Sequence, residues 1–133
     1  MSTDTAGREF VTDVQVRWRD LDVLGHVYQG RYQEWLDEAR ADVFADVAGP
    51  LGYPFVLANI NLNFRHEVVK ADGAVRIRTQ VRSVGTRSVT LAHSFDTVAG
   101  THVADGESTL VAWDREARCS RPISEQERRI LGG

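Results

Sequence analysis

One stretch of this chain changes period, and that change limits the folds available to it. From about Gly30, Tyr32, Trp35, Leu36, Ala39, Val43, Phe44 and Val47 recur at helical spacing. Gln33, Glu34, Asp37, Glu38, Arg40, Asp42 and Asp46 fall on the opposite side. This predicts an amphipathic helix of about four or five turns with a core-facing stripe. Gly49-Pro50 is the expected stop, a left-handed glycine cap followed by a residue that cannot continue a helix.

Everything around it reads with period two. Phe10, Thr12, Val14, Val16 and Trp18 point one way; Val11, Asp13, Gln15 and Arg17 point the other. After the helix, Ile60, Leu62 and Phe64 alternate with asparagines. Val75, Ile77, Thr79 and Val81 then alternate with Arg76, Arg78, Gln80 and Arg82. Val89, Leu91, His93 and Phe95 share a third face, and Ser108 to Trp113 alternates more weakly. Turn signals stand at Asp72-Gly73, Gly85-Thr86 and Ala99-Gly100-Thr101. Ser124, with Glu127 three residues on, can cap a short terminal helix.

The order is strand, long helix, then about four strands. Tight turns imply antiparallel neighbours, and the single long helix is the element available to cover one sheet face. The expectation is an α+β fold, a curved antiparallel sheet of about five strands wrapped round one central helix. The 133 residues make one domain, 1–133, with 1–8 and 124–133 peripheral.

Composition removes several classes of function. The net charge of -3 gives no general reason to expect nucleic-acid binding. Cys119 is the single cysteine, so neither an intramolecular disulfide nor a thiolate metal cluster can form. The histidines, His26, His66, His93 and His102, lack metal-ligand spacing. No G-x-S-x-G elbow, P-loop or dinucleotide fingerprint is present. No run reaches the length of a membrane span, and Met1 to Gly7 does not read as a signal peptide, which favours the cytosol.

The stretch from Arg19 to Val27 has neither period. Asp20 and Asp22 there stand just before a helix start, where unpaired N–H groups and the dipole end can stabilise an oxyanion. A carboxylate beside them can attack a carbonyl or activate water. Gly25 permits close approach or an unusual backbone angle. The plain alternative is that both aspartates are caps or turn formers.

The run Val16-Arg17-Trp18-Arg19-Asp20-Leu21-Asp22-Val23-Leu24-Gly25-His26-Val27, with Tyr32, Trp35-Leu36 and Ala39-Arg40, resembles a known signature. It is close to the R-W-x-D-x-D-x-x-G-H-V-x-x-x-x-Y pattern of hotdog-fold acyl-CoA thioesterases of the 4-hydroxybenzoyl-CoA thioesterase type. Gly85-Thr86-Arg87-Ser88 and Ala104-Asp105-Gly106-Glu107-Ser108-Thr109 resemble later, weaker parts of that family's pattern. The resemblance implies a sheet wrapped round one helix and hydrolysis of an acyl-CoA thioester to free acid and coenzyme A.

Carried onto this chain, the resemblance makes Asp22 the reactive carboxylate, acting as nucleophile or general base. The backbone N–H of Gln29 becomes the oxyanion contact, with Gly25 and His26 as the motif's glycine and histidine. His26 either orients water, pairs with Asp22 or holds the loop. Tyr28, Tyr32, Trp35, Arg65, His66, Arg87 and Ser88 are the implied substrate-binding residues. Each has a plainer reading: core packing for Trp35, a solvated face for the arginines, a turn cap for Ser88. No cofactor or metal is implied beyond the coenzyme A of the substrate. A homodimer or homotetramer is implied. The alternatives are a hotdog protein that binds an acyl or aromatic ligand without turnover, and a thioesterase acting on a carrier-protein-bound acyl chain.

Overall fold

The computed structural model describes residues 9–132; the segment 1–8, expected to be peripheral, lies outside them. Five strands form one antiparallel sheet: β1 (Glu9–Gln15), β2 (Phe55–Phe64), β3 (Ala74–Val84), β4 (Ser88–Thr97) and β5 (His102–Asp114), in the order β1-β3-β4-β5-β2. A two-residue β6 (Cys119–Ser120) pairs with the end of β5. The long helix α1 (Gln29–Val43) packs on one sheet face, and a short α2 (Glu125–Leu131) closes the chain. Ser124 caps α2 by the expected reciprocal bonds with Glu127.

The period-two reading locates the buried face of the central strands. Val75, Ile77, Thr79 and Val81 of β3 are buried, as are Val89, Leu91, His93 and Phe95 of β4. They meet Leu36, Ala39 and Val43 of α1 in two apolar clusters, one at each end of the helix. Removal of this apolar area from water is the main stabilising contribution.

Four details differ from expectation. First, β2 does not neighbour β3. It lies at the sheet edge beside β5, because the segment from Arg65 to Gly73 is a crossover and not a hairpin turn. Second, α1 stops at Val43, well before Gly49-Pro50. Phe44 leaves the helix to stack on Tyr53 and Phe55, at ring distances of 4.8 and 4.7 Å. Gly49 makes no left-handed cap; the left-handed glycine of that loop is Gly52. Third, β1 ends at Gln15, so Trp18 does not continue its inward face. It is 74% exposed in a short 3-10 turn, under the Lys70 ammonium. Fourth, β5 begins at His102, six residues before the alternation becomes readable.

Arg40 is a further correction. Placed on the solvent face by its charge, it is 3% exposed. Its Nη1 donates to Ser108 Oγ (3.2 Å) and its Nη2 to Asp37 Oδ1 (2.6 Å). Ser108 Oγ also bonds His93 Nε2 (2.7 Å), and His93 Nδ1 bonds Thr79 Oγ1 (3.0 Å). A hydrogen-bonded chain thus crosses the core from helix to sheet. Buried polar groups persist when partnered in this way.

Candidate active site

The loop between β1 and α1 is built by its two aspartates, which do different work. Asp20 is buried, and its Oδ2 accepts the Arg17 N–H at 2.7 Å, which fixes the 3-10 turn. Its carbonyl accepts the Tyr28 N–H at 2.8 Å, and its other carboxylate oxygen lies 3.6 Å from Arg31 Nε. Asp22 is exposed. Its Oδ1 accepts the N–H groups of Leu24 (2.9 Å) and His26 (3.2 Å). Both bonds fall on one oxygen, so Oδ2 is left out of the turn. Its backbone exchanges bonds with His26 O and Gly25 N. Gly25 closes this turn at φ 79°, where a side chain would be strained.

Asp22 faces an open cleft of about 620 Å³. The start of α1 lines the same cleft through Tyr28 and Gln29, with Tyr32, Phe64, Arg65 and His66 on its walls. Tyr28 at the N-cap makes no side-chain capping bond. The first N–H groups of a helix have no partner within it, and the Tyr28 carbonyl takes only that of Arg31. A carboxylate and an uncapped helix start therefore open on one solvent-accessible space. That pairing can polarise a carbonyl and deliver a nucleophile or base to it.

The cleft floor is aromatic. Tyr32 sits 5.2 Å from Trp35, 5.0 Å from Phe64 and 5.3 Å from Phe95. Burial, and secondarily the charge of Asp72, pushes the Tyr32 phenol up to about 12, so it stays neutral at physiological pH. Trp35 is buried and does not line the cleft; its part here is core packing.

The His26 side chain is not on Asp22. Its Nε2 pairs with Glu67 Oε1 across the cleft wall, while only its backbone meets Asp22. Arg65 stands at the rim, held by two bonds to Asp105 at 3.0 and 3.1 Å. His66 turns Nδ1 to the Glu67 carbonyl at 2.8 Å. Val27, Phe64, Glu67 and Val68 line the cleft without being among the site residues expected from the sequence. Phe64 was readable as one of an alternating set, yet its position at the mouth depends on β2 being an edge strand.

Arg87 and Ser88 are not brought to this cleft within one copy of the chain. They lie where β4 begins, with Arg87 Nη1 on Ser120 Oγ at 3.3 Å, beside the second apolar cluster. Arg76, Arg78 and Arg82 also stay away from it, paired with Asp13, Glu9 and Glu107 on the outer sheet face. Among the described residues, no three His, Cys, Asp or Glu side chains converge to hold a metal ion. No helix among them is long and apolar enough to cross a membrane.

Comparison with known proteins agrees with this architecture. A family profile described as the thioesterase-like superfamily matches residues 16–130. The long-chain acyl-CoA thioesterase FadM of Escherichia coli K12 is 34% identical over 127 residues, covering 90% of this chain and 95% of its own. A thioesterase from Thermus thermophilus, solved with coenzyme A and Zn, superposes with a TM-score of 0.82. It is 25% identical and is covered to 95%, against 91% of this chain. The 4-hydroxybenzoyl CoA thioesterase of Pseudomonas sp. strain CBS-3 shares the fold, with a TM-score of 0.80 at 19% identity, over 93% of this chain and 99% of its own. The chain belongs to the thioesterase-like superfamily and is a hotdog-fold thioester hydrolase.

Proposed function

We propose that the protein hydrolyses an acyl-CoA thioester, with Asp22 and the start of α1 as its reacting groups. The observation that carries this reading is their convergence on one open cleft, with the helix start uncapped. The thioester carbonyl points at the Gln29 N–H, which stabilises negative charge as it develops. Asp22 uses the carboxylate oxygen not engaged in its turn. It either attacks the acyl carbon or takes a proton from the water that does. The C–S bond breaks, coenzyme A leaves as the thiol after gaining a proton, and the acid is released. On the attack route water then hydrolyses the acyl–Asp22 anhydride; label found in Asp22 after a single turnover in ¹⁸O-labelled water identifies that route, because base catalysis puts the label in the released acid alone.

The family relatives support coenzyme A as the carrier: one is a long-chain acyl-CoA thioesterase and another was solved with coenzyme A. Gly25 shapes the Asp22 loop, and His26 and His66 brace the wall through Glu67. Tyr28 and Tyr32 face the acyl group, and Arg65 at the rim suits a phosphate once exchanged from Asp105. No cofactor enters this scheme.

The assembly we propose is a homodimer or homotetramer. β2 has β5 on one side only, and Val56, Leu57 and Phe64 along it are exposed. Such an edge pairs readily with a second copy. Arg87 and Ser88 then serve a neighbouring copy's cleft. One domain carries the whole activity, and the cytosol is its proposed location.

The test is release of free thiol from a panel of acyl-CoAs, followed with a thiol reagent. Turnover of at least one member is expected. Binding without thiol release would replace this reading with a ligand-binding one.

A further inference from the structure

Tyr28 stands at the N-cap of α1 with an extended backbone, and its ring folds back over the first helical turn. A Cβ built at Gly30 would lie 2.4 Å from the ring's Cε2 and 3.0 Å from its Cδ2. No real Cβ sits that close to a neighbour, so any side chain at residue 30 would drive the ring away. The missing side chain at Gly30 is what lets the ring rest there.

Tyr28 lines two hollows. One is the Asp22 cleft. The other is smaller, about 310 Å³, and runs past Gly30 and Gln33 to Leu62. Tyr28, Gln29 and Phe64 line both, so the two hollows adjoin at these residues. The second hollow has no charged residue on its walls, and Leu62 and Phe64 give it an apolar side. Its apolar side suits a methylene chain, and no cationic side chain stands on it to attract a phosphate.

We propose that Tyr28, seated over Gly30, is a specificity-determining residue that closes the cleft to long acyl chains. The inference rests on the thioesterase reading and adds a substrate class to it: acyl groups short enough to end at the Tyr28 ring. Removal of the ring joins the two hollows and gives a longer chain an apolar path.

The experiment measures kcat/KM for straight-chain acyl-CoAs, from acetyl to palmitoyl, with wild type, Tyr28→Ala, Tyr28→Phe and Gly30→Ala. Wild type should favour the short members. Tyr28→Ala should raise the ratio of long to short substrates by about fourfold for each methylene newly buried. Tyr28→Phe keeps the ring and should keep the wild-type ratio. Gly30→Ala should shift the ratio in the same direction as Tyr28→Ala, since it displaces the ring. An active Tyr28→Ala enzyme with the wild-type ratio would overturn the inference and leave the thioesterase reading intact. A wild type that hydrolyses no member of the panel would overturn that reading, and the inference with it.

Discussion

Asp20 and Asp22 are two residues apart and face opposite ways: Asp20 is 5% exposed with its carboxylate on the Arg17 N–H, while Asp22 stands exposed at the cleft. The pair divides between the turn and the cleft. Asp20 fixes the turn that presents Asp22, and its carbonyl also receives the Tyr28 N–H at the start of α1.

Asp20→Ala should therefore act on stability. It leaves a part-buried N–H at Arg17 without its acceptor and removes one of the two carboxylates near the Arg31 guanidinium, Glu34 remaining. The expected loss is about 1–3 kcal/mol in urea denaturation. A variant as stable as wild type would show that the turn does not need the cap.

Gly25→Ala tests the other end of the loop. No atom lies within 4 Å of the position a Cβ would take, so the cost is backbone strain alone at φ 79°. About 1–2 kcal/mol is expected. Because Gly25 N–H bonds the Asp22 carbonyl, kcat should fall with little change in secondary structure by circular dichroism. Unchanged kcat would separate the loop's shape from the reaction.

His26→Ala should cost much less activity than a change at Asp22. Its imidazole bonds Glu67 and not the Asp22 carboxylate, and the backbone bond to Asp22 survives the substitution. A loss of about tenfold or less fits one displaced hydrogen bond. A loss equal to that of the aspartate variant would make the histidine part of the reacting set.

The chain from Arg40 through Ser108 to His93 predicts a pH dependence of stability. Burial, and then the Arg40 charge, lowers the His93 pKa from 6.5 to about 4. Between these values the unfolded chain binds the proton and the folded one does not. The contribution is thus complete above pH 6.5 and is lost as the pH falls towards 4. Its size is about 3 kcal/mol. Urea midpoints across this range should slope upward with pH in wild type and flatten in His93→Gln. Parallel slopes would assign the dependence to other groups.

The fold was readable where one periodicity held for several residues. The α1 stripe and the buried faces of β3 and β4 follow from side-chain spacing alone. Arg40 shows the limit: Leu36, Ala39, Arg40 and Val43 share one helical face, but a charged residue reads as solvent-facing unless its buried partners are known. Those partners, Ser108 and His93, are distant in sequence and meet it only through the sheet. The edge position of β2 was hidden for a similar reason, because the Asp72-Gly73 turn signal marks where β3 begins but not which strand pairs with it. At the site, Asp22 and Gln29 could be named from the loop and the family signature, and both line the cleft. The His26–Glu67 pair could not, since Glu67 lies on the crossover segment.

The most direct measurement is kcat/KM of Asp22→Asn on the best acyl-CoA of the panel. Asparagine keeps an Oδ1 that can still accept the Leu24 and His26 N–H groups, so the loop is retained while the charge and the nucleophilic oxygen are lost. An intact fold and a drop of about 10²- to 10⁴-fold are expected if Asp22 carries the reaction. Turnover close to wild type in a folded Asp22→Asn protein would contradict that role.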